Sequence, residues 1–201
     1  MTRSELHPGD ILLKMATSSF THWLIKTGQK LAGQPNAFLG HAAIVLDTKF
    51  VIEAQKAGVS KNHVAKHPEC GYYVFRPRDA ELGQAAATAA ELLFDVHQVD
   101  NRTLKYDALG AAGSVLGGPG TAKSGSEMDA LLDRMLANKN QPFFCSQFVV
   151  YVYHWAASQR GRSPEEVFMG SDSKASPSAL ASWLVGNPYF DEVGYLMPNE
   201  Y

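Results

Sequence analysis

The chain carries two thiols, those of Cys70 and Cys145. Cys145 lies in the segment QPFFCSQFVVYVYHWAASQ, whose apolar residues recur at helical spacing. A helix that begins at Cys145 puts the thiol at its N-terminus and buries one stripe: Phe148, Val149, Val152, Trp155 and Ala156. The positive end of a helix favours the nucleophilic thiolate, and the backbone N–H of Cys145 or Ser146 suits a developing oxyanion. The pattern therefore predicts a cysteine nucleophile, although a small buried hydrophobe fits the same position.

A cysteine nucleophile needs a base and a group that orients the base. Of the seven histidines, His41 differs from the others because it opens the apolar segment GHAAIVLD. Glu53 is a charged residue inside the apolar segment FVIEAQ, where it requires a partner. A three-residue turn at 47–49 places His41 opposite Gln55 and on the same face of the sheet as Glu53. A two-residue turn would send Glu53 to the other face, so the triad depends on the odd turn.

The elements around these residues predict one α+β domain over residues 1–201, with an antiparallel sheet packed against helices. Strands are expected in HPGDILLKM, HAAIVLD, FVIEAQ, YYVFRP and YFDEVGYLM. Helices are expected in TSSFTHWLIKTGQKLAG, from Asp79 to about His97, from Met128 to Leu136, in the Cys145 segment and in SPSALASWLVGN. The segment HVAKHPEC is interpreted as a polar loop.

Four motifs follow one another along the chain: GDILL, GHAAIVLD, an acidic residue twelve positions after the histidine, and FCSQFVVYVY. From Gly9 to about Ala156 this set resembles the circularly permuted NlpC/P60 superfamily, papain-like thiol hydrolases of the YiiX and lecithin–retinol acyltransferase type. In the permuted group the histidine strand precedes the cysteine helix, as it does here. The resemblance implies a permuted papain-like NlpC/P60 fold with Cys145 as nucleophile, His41 as base and Glu53 as third catalytic residue. At that third position the acyltransferase branch has a second histidine.

The resemblance extends to KYDALG, which implies that Tyr106 lines the cleft. Ser146 is expected at the oxyanion site, and Gln55 is the alternative to Glu53 as partner of the base. His63, His67 and Cys70 have metal-like spacing, but their loop is polar and supplies three ligands where zinc takes four. GGPGTAKSG is similar to a phosphate loop but does not follow a strand. We therefore expect no metal and no cofactor.

Composition and charge argue against other classes of function. A net charge of −2 does not suit a nucleic-acid binder, and it gives no strong attraction to anionic membranes. No run of about 18 apolar residues is present, so stable membrane insertion is not expected. The start, MTRSELHPGDILLKM, lacks the apolar core of a signal peptide. We expect a protein made in the cytoplasm.

The predicted activity is that of a cysteine hydrolase that cleaves amide bonds in bacterial cell-wall peptides, as NlpC/P60 enzymes mostly do. A compact hydrolase without a wall-binding repeat resembles the toxins that bacteria deliver into a competitor's periplasm by type VI secretion. The expected partners are then a peptidoglycan peptide as substrate and an immunity protein or a component of the secretion apparatus. Two alternatives stay open. One is a lipid or fatty-acyl hydrolase or acyltransferase that uses the same Cys–His site, and the other is a non-catalytic binding domain.

Overall fold

The structure, a computed structural model, describes residues 1–15, 39–55, 58–66, 70–99, 145–169 and 177–197. Its strands are β1 (Ile11–Met15), β2 (Leu39–Val45), β3 (Phe50–Gln55), β4 (Gly58–His63), β5 (Tyr72–Pro77) and β6 (Phe190–Leu196). Its helices are α1 (Ala80–Val99), α2 (Cys145–Gln159), α3 (Pro164–Val167) and α4 (Pro177–Leu184), with 3₁₀ turns at Arg3–Glu5 and Val64–Lys66. The helices predicted at 17–33 and 128–136 lie outside the described residues.

The strands of the described residues form one antiparallel sheet in the order β4-β3-β2-β1-β5-β6. One face of the sheet packs against α1, α2 and α4, and the other face carries a smaller apolar cluster around Leu12, Val45 and Val74. The predicted α+β class, with an antiparallel sheet against helices, is confirmed. None of the helices that the structure describes is long and apolar enough to cross a membrane.

Strand β4 was absent from the sequence expectation, which left this stretch unassigned and interpreted His63 as part of a polar loop. His63 instead ends β4, paired with Phe50 of β3. The segment GVSKNH contains one buried apolar residue, Val59, so period-two hydrophobicity is too weak to reveal a strand. Pairing with β3 supplies the stabilisation that the sequence pattern lacks. His67 of the same predicted loop lies outside the described residues.

The β2–β3 hairpin has the odd turn on which the triad depends. Ile44 pairs with Ile52 and Val45 with Val51. The turn at 47–49 is closed by the backbone N–H of Leu46 donating to the Phe50 carbonyl at 2.9 Å. Asp47 Oδ1 stabilises it by accepting the N–H of Phe50 at 2.8 Å. Of the two turn lengths that the sequence left open, this is the three-residue one, and its register puts His41, Glu53 and Gln55 on one face.

Helix α2 is buried on nearly every side. The predicted stripe is buried, but Val150 and Tyr153 outside it are also fully buried. The predicted buried face was therefore too narrow, because α2 packs against α1, α3, α4 and the sheet. The Tyr153 hydroxyl donates to the carbonyl of Gly9, two residues before β1 begins. This contact ties the helix that carries Cys145 to the start of a central strand.

The approach to β1 is fixed by a close backbone contact and a buried ion pair. Gly9 has φ +86°, and a Cβ there would lie 2.4 Å from the Cα of Gly83 in α1, so only glycine fits. The next residue, Asp10, is fully buried and binds Arg76 of β5 through both carboxylate oxygens, at 2.8 and 2.7 Å. Such a bidentate pair satisfies the buried charge.

Candidate active site

Cys145 is the first residue of α2, as predicted, and is 7% exposed. Its thiol lies beside the imidazole of His41, close enough to raise the pKa of that ring. Ser146, the expected oxyanion residue, follows it in the first turn and is fully buried. The sulfur therefore lies at the positive end of a 15-residue helix and beside a titratable base.

His41 lies next to an irregularity in β2. Lys14 of β1 pairs with His41 and Met15 with Leu39, which leaves Gly40 without a pairing residue. Such a bulge bends a strand and re-aims the neighbouring side chain. The His41 side chain is 22% exposed, and its Nε2 lies 2.5 Å from Glu53 Oε2. Because the carboxylate occupies Nε2, Nδ1 is the nitrogen left for the thiol.

The surroundings of His41 favour its protonated form. Burial alone would lower the pKa of the imidazole. The hydrogen bonds to Cys145 and Glu53, together with the charges of both groups, outweigh burial and raise the pKa of His41 to about 9. At neutral pH the ring is therefore an imidazolium, which can give a proton to a leaving group.

Glu53 is 5% exposed, and both of its carboxylate oxygens are engaged. Oε2 faces His41, while Oε1 accepts hydrogen bonds from Gln55 Nε2 and Asn62 Nδ2, each at 2.6 Å. Lys66 Nζ lies 3.9 Å from Oε1. Burial would raise the pKa of Glu53, but the bond to His41, the charges of His41 and Lys66 and the Asn62 amide together lower it. The carboxylate is thus ionised at neutral pH.

The remaining predicted site residues have different outcomes. Of the two candidates for the partner of the base, Glu53 contacts the ring, whereas Gln55 donates to the Glu53 carboxylate. Tyr106 lies outside the described residues. Cys70 is buried and reduced, and among the residues that the structure describes no three His, Cys, Asp or Glu side chains gather as metal ligands do.

The sequence analysis did not identify Asn62 and Lys66 as site residues because it did not predict β4. The β3–β4 register explains why Asn62 lies at the site. Ser60 pairs with Glu53, so Asn62, two residues further along β4, is a diagonal neighbour of Glu53 on the same face. Lys66 follows in the 3₁₀ turn Val64–Lys66. A strand assignment for 58–63 would have revealed both.

A thiol, an imidazole and a carboxylate therefore lie next to one another, which is the set of groups that nucleophilic thiol chemistry uses. Comparisons of this chain with protein-family models, with curated proteins and with solved structures find no match.

Proposed function

We propose that the protein is a cysteine hydrolase in which Cys145 is the nucleophile, His41 the acid and base, and Glu53 the residue that orients the ring. The observation that carries the proposal is one imidazole that binds the Glu53 carboxylate and lies beside the Cys145 thiol. Free buried cysteines are common. A cysteine at a helix N-terminus that shares a histidine with a buried carboxylate is the arrangement expected of an activated nucleophile.

The proposed reaction runs in two steps. The Cys145 thiolate attacks a substrate carbonyl carbon, and the oxyanion that forms is stabilised by the backbone N–H of Cys145 or Ser146. The imidazolium of His41 then protonates the leaving group as the carbon–nitrogen bond breaks, which leaves an acyl thioester. In the second step His41 takes a proton from water and the hydroxide attacks the thioester carbon. The carbon–sulfur bond then breaks, which releases the acyl group as a carboxylic acid and leaves the Cys145 thiolate beside the His41 imidazolium.

We assign amide bonds of bacterial cell-wall peptides as the substrate class. An amine leaves a tetrahedral intermediate only when it is protonated, and a His41 that keeps its proton up to about pH 9 suits that demand. The order of motifs along the chain supports a permuted NlpC/P60 fold, whose enzymes act mostly on such peptides. Under this proposal the protein is a toxin delivered into a target cell's periplasm by type VI secretion and held in check by an immunity protein.

The test incubates the native protein with purified peptidoglycan and, separately, with phospholipid vesicles, and identifies products by mass spectrometry. Cys145→Ala is the inactive variant. Cys70→Ala is the matched control, because it removes the other buried thiol of the chain. Shortened or uncross-linked stem peptides from the native protein and from the Cys70→Ala control support the proposal.

Two results would contradict it. Release of fatty acid or lysophospholipid with intact peptidoglycan assigns the site to acyl hydrolysis instead. Equal products from the native and Cys145→Ala proteins exclude the thiol mechanism.

A further inference from the structure

We infer that Asn62 is a positioning residue of this site, which holds the Glu53 carboxylate so that one oxygen faces His41. This inference rests on the proposed function. The two oxygens of Glu53 have separate tasks: Oε2 binds His41 Nε2 at 2.5 Å, and Oε1 accepts from Asn62 Nδ2 at 2.6 Å. A carboxylate that is held at one oxygen cannot rotate away from the ring.

The sheet dictates this placement. Continued along the strands, the β2–β3 register puts His41 diagonal to Glu53 on one side, and the β3–β4 register puts Asn62 diagonal to it on the other. Diagonal neighbours on one face are within reach of long side chains. Glu53 on β3 is therefore contacted from both adjacent strands, by the imidazole of His41 on β2 and by the amide of Asn62 on β4.

The Asn62 amide is itself held in one orientation. Its Oδ1 accepts a hydrogen bond from Lys66 Nζ at 2.9 Å, and its Nδ2 also donates to Ser60 Oγ at 2.9 Å. A flipped amide would turn Oδ1 against the Glu53 carboxylate and the NH₂ group against the Lys66 ammonium. Both contacts would be repulsive. Lys66 thus fixes which end of the amide meets Glu53.

The consequence is electrostatic as well as geometric. Glu53 is buried, and burial favours its protonated, neutral form. The N–H of Asn62 opposes this effect because it stabilises the carboxylate, and it contributes to the lowered pKa of Glu53. Without Asn62 the carboxylate would take a proton at a higher pH, and a protonated Glu53 no longer stabilises the His41 imidazolium.

The charged groups around the carboxylate come from several elements. His41 of β2 and Lys66 of the turn after β4 face Glu53 directly. Cys145 of α2 acts on it through His41, and Lys14 of β1 is the cross-strand neighbour of His41. A substitution on β4 that removes only the amide removes none of these charges, although Lys66 Nζ loses its acceptor Asn62 Oδ1. A change in titration therefore reports the amide together with its hold on Lys66.

The experiment is a ¹³C NMR titration of the Glu53 carboxyl carbon in the native protein and in Asn62→Ala. We expect the pKa of Glu53 to rise by about one unit in Asn62→Ala, since a hydrogen bond to a charged group is lost. Asn62→Gln keeps an amide donor and should recover at least part of the shift. Cys145-dependent hydrolysis should fall about tenfold in Asn62→Ala, because the base is less well oriented.

Asn187→Ala is the matched control for a merely structural role. Asn187 Nδ2 donates to the carbonyls of Val167 and Trp183, so this variant loses stability without touching the site. It should leave the titration of Glu53 unchanged.

A shift of less than about 0.3 units in Asn62→Ala would overturn the inference, since the loss of a charge-assisted bond should exceed it. If hydrolysis still depends on Cys145 in that case, the proposed function stands. Hydrolysis that survives Cys145→Ala would instead defeat the proposed function, whatever the titration shows.

Discussion

Replacing Glu53 with glutamine removes one charge and keeps the shape of the side chain. In the native protein Oε1 accepts N–H groups from Gln55 and Asn62, while Oε2 binds His41 Nε2. A glutamine has one oxygen and one NH₂ group, so it cannot accept on both sides. The two donors keep the oxygen at the Oε1 position and turn the NH₂ group toward His41. Nε2 must then accept, which places the ring proton on Nδ1, the nitrogen that should take the proton of the thiol.

The loss of activity follows from two costs. The charge-assisted bond to the imidazolium contributes about 1.5 to 3 kcal/mol. Restoring the productive tautomer requires the new amide to flip against both donors, which costs about 1 to 3 kcal/mol. Together they raise the barrier by about 2.5 to 6 kcal/mol, or roughly 10²- to 10⁴-fold in rate. The loss of the carboxylate charge also lowers the pKa of His41, so the alkaline limb of the activity profile moves to lower pH.

The assay uses the substrate that the peptidoglycan experiment identifies. Turnover is measured for three proteins: the native protein, Glu53→Gln and a matched control, Glu91→Gln. Glu91 of α1 carries a carboxylate bonded to Lys61 at 2.9 Å, so the control makes the same chemical change on a carboxylate whose partner is a lysine and not His41. The control should keep native turnover. A Glu53→Gln protein within about threefold of native, with an unmoved alkaline limb, would refute the tautomer argument.

Three further outcomes are expected. Cys145→Ala should reduce hydrolysis to background while changing the free energy of unfolding by only about 1 kcal/mol, measured by chemical denaturation, because a small side chain is truncated; residual turnover would speak against a nucleophilic thiol. Hydrolysis should decline as the pH rises through about 9, where His41 loses the proton that it gives to the leaving group. A decline already centred near neutrality would contradict the raised pKa of His41. Gly9→Ala should destabilise the fold by about 3 kcal/mol or more in urea unfolding, since the new Cβ meets the backbone of Gly83 at a positive φ; a native midpoint would show that this contact can relax.

The part of the site on α2 and the β2–β3 hairpin could be predicted from the sequence because its signals are local. Helical periodicity indicated a helix with Cys145 at or next to its start, and one of two possible turn lengths put His41 and Glu53 on a common face. Each inference needs only residues close in the chain, so neither required knowledge of the tertiary fold.

The residues that surround and hold the site could not be predicted, because the sequence patterns that would reveal them are weak or join residues far apart in the chain. Strand β4 has little apolar alternation and forms through pairing with β3, so Asn62 and Lys66 stayed hidden. The ion pair of Asp10 with Arg76 joins residues 66 positions apart, and nothing local indicates it. Tertiary contacts of this kind decide the electrostatics of a site without leaving a local pattern.

The most direct test of the thiol–imidazole pair is the rate of iodoacetamide labelling of the intact protein near pH 6, read for each cysteine by peptide mass spectrometry. Cys70 is an internal control, since it is buried and 2% exposed. The account predicts that Cys145 reacts faster than a free thiol because His41 activates it, that Cys70 does not react, and that His41→Ala abolishes the fast reaction. Labelling of Cys145 that is no faster than that of a free thiol, or that is unchanged in His41→Ala, would contradict it.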